Sequence, residues 1–388
     1  MSLKKSLINK KSPGFTLVEL LIAMVLGLVI VGGGLYMFSG IVQSSVVNQS
    51  VSTLQSNGRF AIDLIGRDVR SAGFIGCVSN KNSVLNIVIS NPPTTDLNDT
   101  AITGYYVQSS TNWSPANPDS YTAPTGVGEP VQGTYVLGVQ YAQFPGYALG
   151  TSMSSPGDTL ALVGNDDISV EDGQAMIISD CSSADLFSVS SLSTGTSGGT
   201  SGDATDDTST ETTDETTDNS STVTMSANGS LTKAYPIPTF ASEGTRVMPF
   251  ISTLFYIGDT QRTTASGDSI HSLFAHSYPY SSTSDLVELV EGVDQLVVEF
   301  GVRQADGSQL YETPGTTASD LQNIETLKLG LLLTSSEHFG SVDVTRAYNL
   351  AGKSITPAAA GSTGLTYPND NRMRMPFNAT FNLRNRDL

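Results

Sequence analysis

The sequence predicts an α+β chain in which one long amino-terminal helix packs on the antiparallel sheet of a large β-rich domain. Two changes of pattern indicate this organisation. An uncharged apolar run near the amino terminus continues into a stretch with apolar residues at three- and four-residue spacing, which is typical of a helix. After residue 73 the pattern changes to short apolar runs separated by Gly, Pro, Asn and Asp, which indicates strands and loops.

A membrane-spanning segment is predicted over residues 15–42. These 28 residues carry one charged side chain, that of Glu19. As a helix they would extend roughly 42 Å, which exceeds the bilayer hydrocarbon core of about 30 Å. The preceding residues 1–14 contain four lysines and no acidic residue. Because lysines favour the cytoplasmic side, residues 1–14 are expected there and the bulk of the chain on the opposite side.

The helix is predicted to continue beyond the membrane, over residues 15–72 in all. Its second half is amphipathic and is expected to pack on a sheet, with these apolar residues on one face: Val47, Val51, Leu54, Ala61, Leu64, Ile65 and Val69. In the membrane half, Gly32, Gly33 and Gly34 each weaken the helix by about 1 kcal/mol relative to Ala. They favour either close packing between helices or local melting of the helix in a filament.

Glu19 is the most informative residue of the apolar run. An ionised carboxylate there is unfavourable by about 2.5–3.5 kcal/mol, so a partner is expected. If the chain is cut after Gly14, the new ammonium of Phe15 can pair with Glu19 of a neighbouring copy. Residues 14–19, Gly-Phe-Thr-Leu-Val-Glu, resemble the class III signal of type IV pilins and type II secretion pseudopilins. The resemblance implies the type IV pilin fold, removal of leader 1–14 by a prepilin peptidase, and methylation of the Phe15 amine.

Several further blocks resemble the PilW family of minor pilins, namely residues 58–61, 68–77, 180–185, 289–296 and 382–386. The resemblance implies a structural subunit that primes pilus assembly and lies at or near the fibre tip. Its implied partners are other minor pilins, the major pilin, the prepilin peptidase, the inner-membrane assembly platform and a tip adhesin; no cofactor is implied. The implied location is the inner membrane, with a periplasmic carboxyl-terminal domain, and after assembly the extracellular fibre.

Two other functions are compatible with these residues. A J-type minor pseudopilin of a type II secretion system uses the same kind of helix, although chain length and the cysteine pair favour the pilus. The second is a tip adhesin or a DNA-uptake receptor. Loss of the four leader lysines changes the formal charge from −18 to −22, which disfavours DNA because DNA affinity depends on Lys and Arg contacts to phosphate. A solvated or salt-bridged edge explains the one basic cluster: Arg372, Arg374, Arg384 and Arg386.

Residues 73–388 are predicted to form the β-rich domain. Strands are expected over residues 86–89, 134–139, 159–163, 175–179, 296–303 and 327–334, with a hairpin turn at 305–308 and a strand or turn over 285–293. Residues 191–226 are rich in Ser, Thr and Gly, with seven acidic residues and no basic one. This composition predicts a disordered surface insertion, because so little apolar surface cannot offset chain entropy. Calcium binding is disfavoured because no twelve-residue ligand loop is present.

Cys77 and Cys181 are the only cysteines. In an exported domain they are expected to form a disulfide, which would contribute up to about 4–5 kcal/mol by restricting the unfolded chain. Two buried free thiols are the alternative. A metal site is disfavoured because no histidine or third cysteine lies at ligand spacing.

No catalytic site is predicted, although two short motifs resemble catalytic ones. Residues 195–199, Gly-Thr-Ser-Gly-Gly, match a nucleophile elbow but lie in the acidic tract, without the flanking strand and helix that the motif needs. Residues 267–270, Gly-Asp-Ser-Ile, resemble an esterase nucleophile block but lie in a turn-like segment. The three histidines, His271, His276 and His338, belong to no protease-like motif.

Overall fold

The computed structural model describes residues 14–77, 85–93, 101–118, 120–164, 170–195, 221–237, 244–280, 285–314, 324–339, 343, 345–359 and 365–386. The chain divides into two units, residues 1–53 and 54–388, and each is described by itself. One helix, α1 (Leu17–Ser71), contributes residues to both units. The predicted α+β class and the long amino-terminal helix are confirmed.

The described residues of the first unit belong almost entirely to α1, and their apolar side chains are exposed. Phe15 is 82% exposed, Leu28 is 74% exposed and Tyr36 is 83% exposed. By length and composition this part of α1 could cross a membrane. Residues 32–34 are helical, and apart from the adjacent residues and the backbone of the helix itself, no atom of the described residues lies within 4 Å of the place that a Cβ of these glycines would occupy. Melting of the helix in a filament stays a prediction.

The second unit is rich in β-strands, which the described residues place as follows: β1 (Leu85–Ile87), β2 (Ile102–Ser109), β3 (Asn112–Ser114), β4 (Glu129–Pro130), β5 (Tyr135–Ala142), β6 (Tyr147–Leu149), β7 (Leu160–Gly164), β8 (Ala175–Ser179), β9 (Ala184–Gly195), β10 (Ser221–Ala227), β11 (Arg246–Thr263), β12 (Ser269–Ser277), β13 (Leu286–Glu291), β14 (Val293–Arg303), β15 (Gln309–Glu312), β16 (Ile324–His338), β17 (Tyr348–Leu350), β18 (Lys353–Pro357), β19 (Thr366–Tyr367) and β20 (Arg372–Asn382). A 3₁₀ turn follows at Arg384–Arg386.

The largest sheet is organised around β11, an 18-residue strand. Its first residues pair with β8 and β6, its middle pairs with β5, and its second half pairs with β12. The main path of this sheet runs β1-β9-β10-β7-β6-β11-β5-β2-β3. All of its pairings are antiparallel except that of β1 with β9. Strand β11 therefore joins the part of the sheet that contains β6 and β8 to the part that contains β5 and β12.

A second sheet, with the order β15-β14-β16-β20, packs against α1. The helix contributes Leu54, Ala61, Ile65 and Val69 to the main core, where they meet buried leucines of β16. Strand β14 is buried along nearly its whole length, and β16 is continuously buried from Leu329 to Ser335, as expected for strands that are covered on both faces. The prediction that the amphipathic half of the helix packs on a sheet is confirmed. A small third sheet has the order β17-β18-β19.

Two glycines allow α1 to approach β20 closely. A Cβ at Gly66 would lie 2.5 Å from the ring of Phe381, and a Cβ at Gly58 would overlap the ring of Phe377. The glycines are separated by about 12 Å along the helix and the phenylalanines by about 13 Å along the strand. Because these two rises match, β20 runs alongside α1 and each ring occupies the space left by one glycine.

The carboxyl end of α1 is capped by the last described residues of the chain. The side-chain amide of Asn385 donates hydrogen bonds to the carbonyls of Ser71 and Ala72, each at 3.2 Å. These carbonyls have no partner within the helix. Gly73 follows with φ of 77°, the left-handed conformation that commonly ends a helix.

Most of the predicted strands are confirmed within a few residues. The strand at 175–179 is β8, and the strands at 296–303 and 327–334 lie within β14 and β16. The hairpin turn at 305–308 joins β14 to β15, closed by a hydrogen bond from the Gln304 N–H to the Ser308 carbonyl at 2.8 Å. Residues 286–291 form strand β13. The longer strands that are missing from the sequence-based prediction are β2, β9, β10, β11, β12 and β20.

The acidic tract requires a correction at both ends. Residues 191–195 complete β9 and residues 221–226 lie in β10, and the two strands pair antiparallel with Thr222 opposite Gly195. The main-chain hydrogen bonds between β9 and β10 order these residues. Such pairing cannot be predicted from composition alone. The residues between the strands, 196–220, lie outside the described part of the chain, and their disorder stays a prediction.

We predict that Gly66→Val lowers the free energy of unfolding by about 1–3 kcal/mol, because the added side chain overpacks against Phe381. Urea unfolding of the full-length protein in detergent would be followed by fluorescence of Trp113, the single tryptophan, which is buried. Ser56→Val, at an exposed position of the same helix, is the control and should change stability by less than about 0.5 kcal/mol. Equal stability of the two variants would contradict the close approach.

Replacing residues 196–220 by a four-residue Gly- and Asn-containing turn should leave the unfolding midpoint unchanged, because both strands of the hairpin are retained. Deleting residues 193–222 instead removes paired residues from both strands. That variant should unfold at lower urea concentration in the same fluorescence assay. If the first replacement also destabilises the protein, the tract has a structural role.

Candidate functional site at the amino-terminal helix

A side-chain cap begins α1. The hydroxyl oxygen of Thr16 accepts a hydrogen bond from the main-chain N–H of Glu19 at 3.2 Å. The Thr16 carbonyl accepts the first helical hydrogen bond, from the Leu20 N–H at 3.2 Å. Thr16 is therefore the N-cap residue, and Glu19 is the third residue of the helix. The sequence-based prediction omits Thr16, although the Thr-x-x-Glu spacing signals this kind of cap.

The position of Glu19 explains part of how its charge is tolerated. It lies in the first turn of α1, where the positive end of the helix dipole stabilises a carboxylate by typically about 0.3–1 kcal/mol. Within the described residues no cation pairs with this carboxylate. The helix end therefore offsets only part of the about 2.5–3.5 kcal/mol that an ionised group in the apolar run is expected to cost. A cation from another molecule would offset the remainder.

The predicted processing residues lie immediately before the helix. Gly14 and Phe15 are both exposed and have no helical conformation. The peptide bond between them is thus accessible, and hydrolysis there would place a new ammonium one residue before the cap. The rest of the predicted leader, residues 1–13, lies outside the described residues. Gly14 and Phe15 thus precede the first helical residue, Leu17, by three and two positions, and Glu19 lies in the first turn.

Cys77 and Cys181 form a disulfide in the structure, and not two free thiols. It joins the segment after α1 to the turn that follows β8. In this turn Asp180 accepts hydrogen bonds from the main-chain N–H groups of Ser182 and Ser183 at 2.9 and 3.0 Å. The nearby ammonium of Lys233 lies 2.6 Å from the Asp180 carboxylate. The disulfide links residues 104 positions apart.

The predicted basic cluster does not form one exposed patch. Arg372 and Arg374, which lie in β20, are buried together with Asp294 and Asp370. Arg374 donates to Asp294 at 2.7 Å and to Asp370 at 2.8 Å, and Arg372 donates to Asp370 at 2.7 Å. The expectation of a salt-bridged group is correct for these two arginines, but the group lies inside the domain and not at its edge. Among the cluster, Arg384 is exposed.

This buried ion network also shifts a pKa. Burial by itself raises the pKa of Asp370, but hydrogen bonds from Arg374 and Arg372 outweigh it and lower the pKa to about 2. Asp370 therefore stays ionised over the whole physiological range, where it pairs with both arginines. Two of the four arginines that could have contacted a nucleic acid are unable to do so.

The candidate catalytic residues are not assembled into a catalytic site in the described part of the chain. Of residues 267–270, Gly267 and Asp268 lie in the turn between β11 and β12, and Ser269 and Ile270 begin β12. Asp268 pairs with His338 at 2.6 Å. His276 is buried among aromatic rings, and the centroid of its ring lies 5.7 Å from that of Tyr121 and 5.6 Å from that of Tyr280. Gly195 ends β9, and the other residues of the elbow-like motif lie outside the described residues. The described residues contain no group of three or more His, Cys, Asp or Glu that could hold a metal ion.

Two family models match the chain. The model described as Prokaryotic N-terminal methylation motif matches residues 9–35, which include Gly14, Phe15 and Glu19. The model described as Type IV Pilus-assembly protein W matches residues 254–385, about a third of the chain, from the middle of β11 to Asn385. The block at 289–296 lies inside this range, whereas the blocks at 58–61, 68–77 and 180–185 lie outside both matches. No curated protein and no solved structure matches the chain.

We predict that Asp370 contributes stability above its ordinary pKa of 3.8 and that this contribution is lost as the pH falls from about 4 towards 2. The sign follows because its pKa in the folded state is the lower one. Asp370→Asn should destabilise the protein by about 3–5 kcal/mol at pH 6, since the buried arginines lose a partner. Its stability should then fall less steeply than that of the wild type below pH 4.

The measurement is the urea midpoint of the full-length protein at several pH values between 6 and 2. Asp63→Asn, an exposed change on α1, serves as the control and should keep the wild-type pH profile. Parallel profiles of the wild type and Asp370→Asn would contradict the assigned role of Asp370.

Proposed function

We propose that this chain, a PilW-type pilin by its two family matches, is a minor subunit of a type IV pilus that primes assembly and lies at or near the fibre tip with other minor pilins. The start of α1, where the Gly14–Phe15 junction precedes the Thr16 cap and Glu19 lies in the first turn, carries the assignment as a pilin. The match of residues 254–385 to the model described as Type IV Pilus-assembly protein W favours a pilus subunit over a secretion pseudopilin. The matched families are structural components of pili and not enzymes. The protein is therefore a pilin-like component associated with the pilus. The priming of assembly and the position at or near the fibre tip are the parts that we propose.

Assembly would depend on a charge pair between subunits. Cleavage after Gly14 by a prepilin peptidase frees the Phe15 amine, which the enzyme then methylates. This ammonium of one subunit pairs with Glu19 of its neighbour at the same depth in the membrane. The pair removes two uncompensated charges from an apolar environment, where breaking a buried ion pair costs about 3–5 kcal/mol. Each helix is therefore held in register with the next.

The exposed apolar surface of α1 would supply the remaining contacts. Side chains such as Leu28 and Tyr36 are exposed in the isolated chain and would face lipid before assembly and neighbouring helices afterwards. The protein would first lie in the inner membrane with its β-rich domain in the periplasm. The inner-membrane assembly platform would then transfer it into the extracellular fibre, where it contacts other minor pilins and the major pilin.

The charge of the processed chain supports a role in few copies. Removal of the leader leaves a formal charge of −22, and such a charge opposes close packing of many identical domains. A subunit present once or a few times in each fibre avoids most of this repulsion. The acidic domain and the buried arginines of β20 also give no support to a DNA receptor.

We predict that Glu19→Ala is processed and inserted normally but enters fibres at least about tenfold less, because the intersubunit ion pair is lost. Glu19→Gln should behave in the same way, since it retains shape but not charge. Val18→Ala, at the adjacent position, is the matched control and should be incorporated like the wild type. Immunoblots of membranes and of sheared fibres, normalised to the major pilin, provide the measurement.

Gly14→Val separates processing from assembly in the same experiment. It should accumulate in membranes as a species heavier by the mass of the leader, whereas Glu19→Ala should have the mass of the mature protein. Wild-type levels of Glu19→Ala in sheared fibres would rule out the proposed pairing.

A further inference from the structure

A groove lies at the carboxyl end of α1, within the second unit. Its volume is about 530 Å³, and its walls include Arg67, Arg70, Phe74, Tyr141 and Phe144. This volume is in the range of sites that hold small ligands or a few side chains. The groove takes no part in the assembly contact described above.

The aromatic wall of the groove is exposed. Phe144 is 69% exposed, which places its ring among the most exposed large apolar groups of the second unit. The ring of Phe74 meets it edge-on, with the ring centroids 6.1 Å apart. Phe74 thus supports one side of the Phe144 ring and leaves the rest accessible to a partner.

The cationic wall has two guanidinium groups. Arg67 and Arg70 are exposed, and neither forms an ion pair within the described part of the chain. Asp68, the nearest acid in sequence, accepts a hydrogen bond from Tyr141 at 3.2 Å. Burial raises the pKa of Asp68, and the Tyr141 hydrogen bond and the charge of Arg67 offset part of this rise, so Arg67 is partly balanced by this one carboxylate. The guanidinium of Arg70 lies over the ring of Phe381, 5.5 Å from its centroid, and this contact holds it in place. Arginine presents several N–H donors at its edge, which match a carboxylate.

These cations are unusual in a processed chain with a formal charge of −22. One role that needs no partner is to complement the negative end of the α1 dipole. Asn385, however, already donates hydrogen bonds to the last carbonyls of the helix. The dipole also gives no reason for an exposed aromatic ring beside the two arginines.

We propose that this groove receives a short acidic segment of a neighbouring pilin subunit, whose carboxylate pairs with Arg67 and Arg70 and whose adjacent apolar side chain packs on Phe144. The inference rests on the proposed function, because it requires a pilin neighbour. The two guanidinium groups favour an acidic segment by charge complementarity, and the exposed ring of Phe144 favours a segment with an apolar residue next to the acid. Bound at the end of α1, such a segment would specify which minor pilin is the neighbour.

The test uses the full-length protein in cells that assemble fibres. The photoreactive residue benzoylphenylalanine replaces either Phe144, in the groove, or Leu28, in the apolar part of α1. After irradiation, the crosslinked partners and the crosslinked peptides are identified by mass spectrometry. We expect the probe at Phe144 to label an acidic segment of another pilin, and the probe at Leu28 to label pilin helices.

Charge variants then test the role of the arginines. Arg67→Glu should lower the crosslink yield at Phe144 at least about tenfold, because a carboxylate would now face a carboxylate, and Arg67→Lys should retain most of the yield. Arg67→Gln, which adds no negative charge beside Asp68, should give an intermediate loss. Arg59→Glu, at another exposed arginine of α1, is the matched control and should leave the yield unchanged. Trp113 fluorescence establishes that each variant is folded.

The two probes distinguish failure of this inference from failure of the proposed function. Crosslinks to pilins from Leu28 but none from Phe144 would overturn the groove proposal alone. The same conclusion follows if Phe144 labels only a second copy of this chain or a protein that is not a pilin, or if Arg67→Glu has no effect. Absence of pilin crosslinks from both probes would instead contradict the proposed function.

Discussion

The contact between α1 and β20 is the interaction on which the rest of the domain depends. Gly58 and Gly66 let the rings of Phe377 and Phe381 approach the helix backbone, so that the helix covers one face of the β15-β14-β16-β20 sheet. Without this cover the leucines of β16 would face water, at about 25 cal/mol for each Å² of apolar surface. Asn385, which follows β20, adds a second contact between the same two elements, because its side chain donates hydrogen bonds to the carbonyls at the end of α1. The helix end and the end of the chain therefore stabilise each other.

The buried ion network acts at the other end of β20. Arg372 and Arg374 belong to this strand, Asp294 belongs to β14, and Asp370 precedes β20. Together the four side chains place two positive and two negative charges in the interior, each close to an opposite charge. Such a network is weak support for stability when compared with an apolar core, but removal of one member leaves a buried charge unpaired. The ion network consequently holds the first residues of β20 next to β14, whereas the contacts at Gly58 and Gly66 position the later residues of β20 along the helix.

A single helix serves two different environments in this chain. In the first unit its apolar residues are exposed on all sides, and one carboxylate lies in the first turn. In the second unit the apolar residues form one face, and charged residues such as Arg67 occupy another. The first pattern suits lipid and other helices, and the second suits a sheet on one side and water or a partner on the other. Both proposed contacts between subunits therefore use charged residues of α1, namely Glu19 in one and Arg67 and Arg70 in the other.

The sequence by itself determined the α+β class, the length of α1 and the segment around Gly14 and Glu19, because helical periodicity, lack of charge and a short motif are local properties. It also predicted that Cys77 and Cys181 would pair, since two cysteines allow one intramolecular pairing. Tertiary structure decided what depends on distant residues. Strand β11 is not apparent in the sequence because Pro249 and Gly258 interrupt it, and its several partners stabilise it nonetheless. Gly58, Gly66, the buried pairing of Arg372 and Arg374, and the strands at both ends of the acidic tract were likewise decided by neighbours far away in the chain, whose contacts no local pattern records.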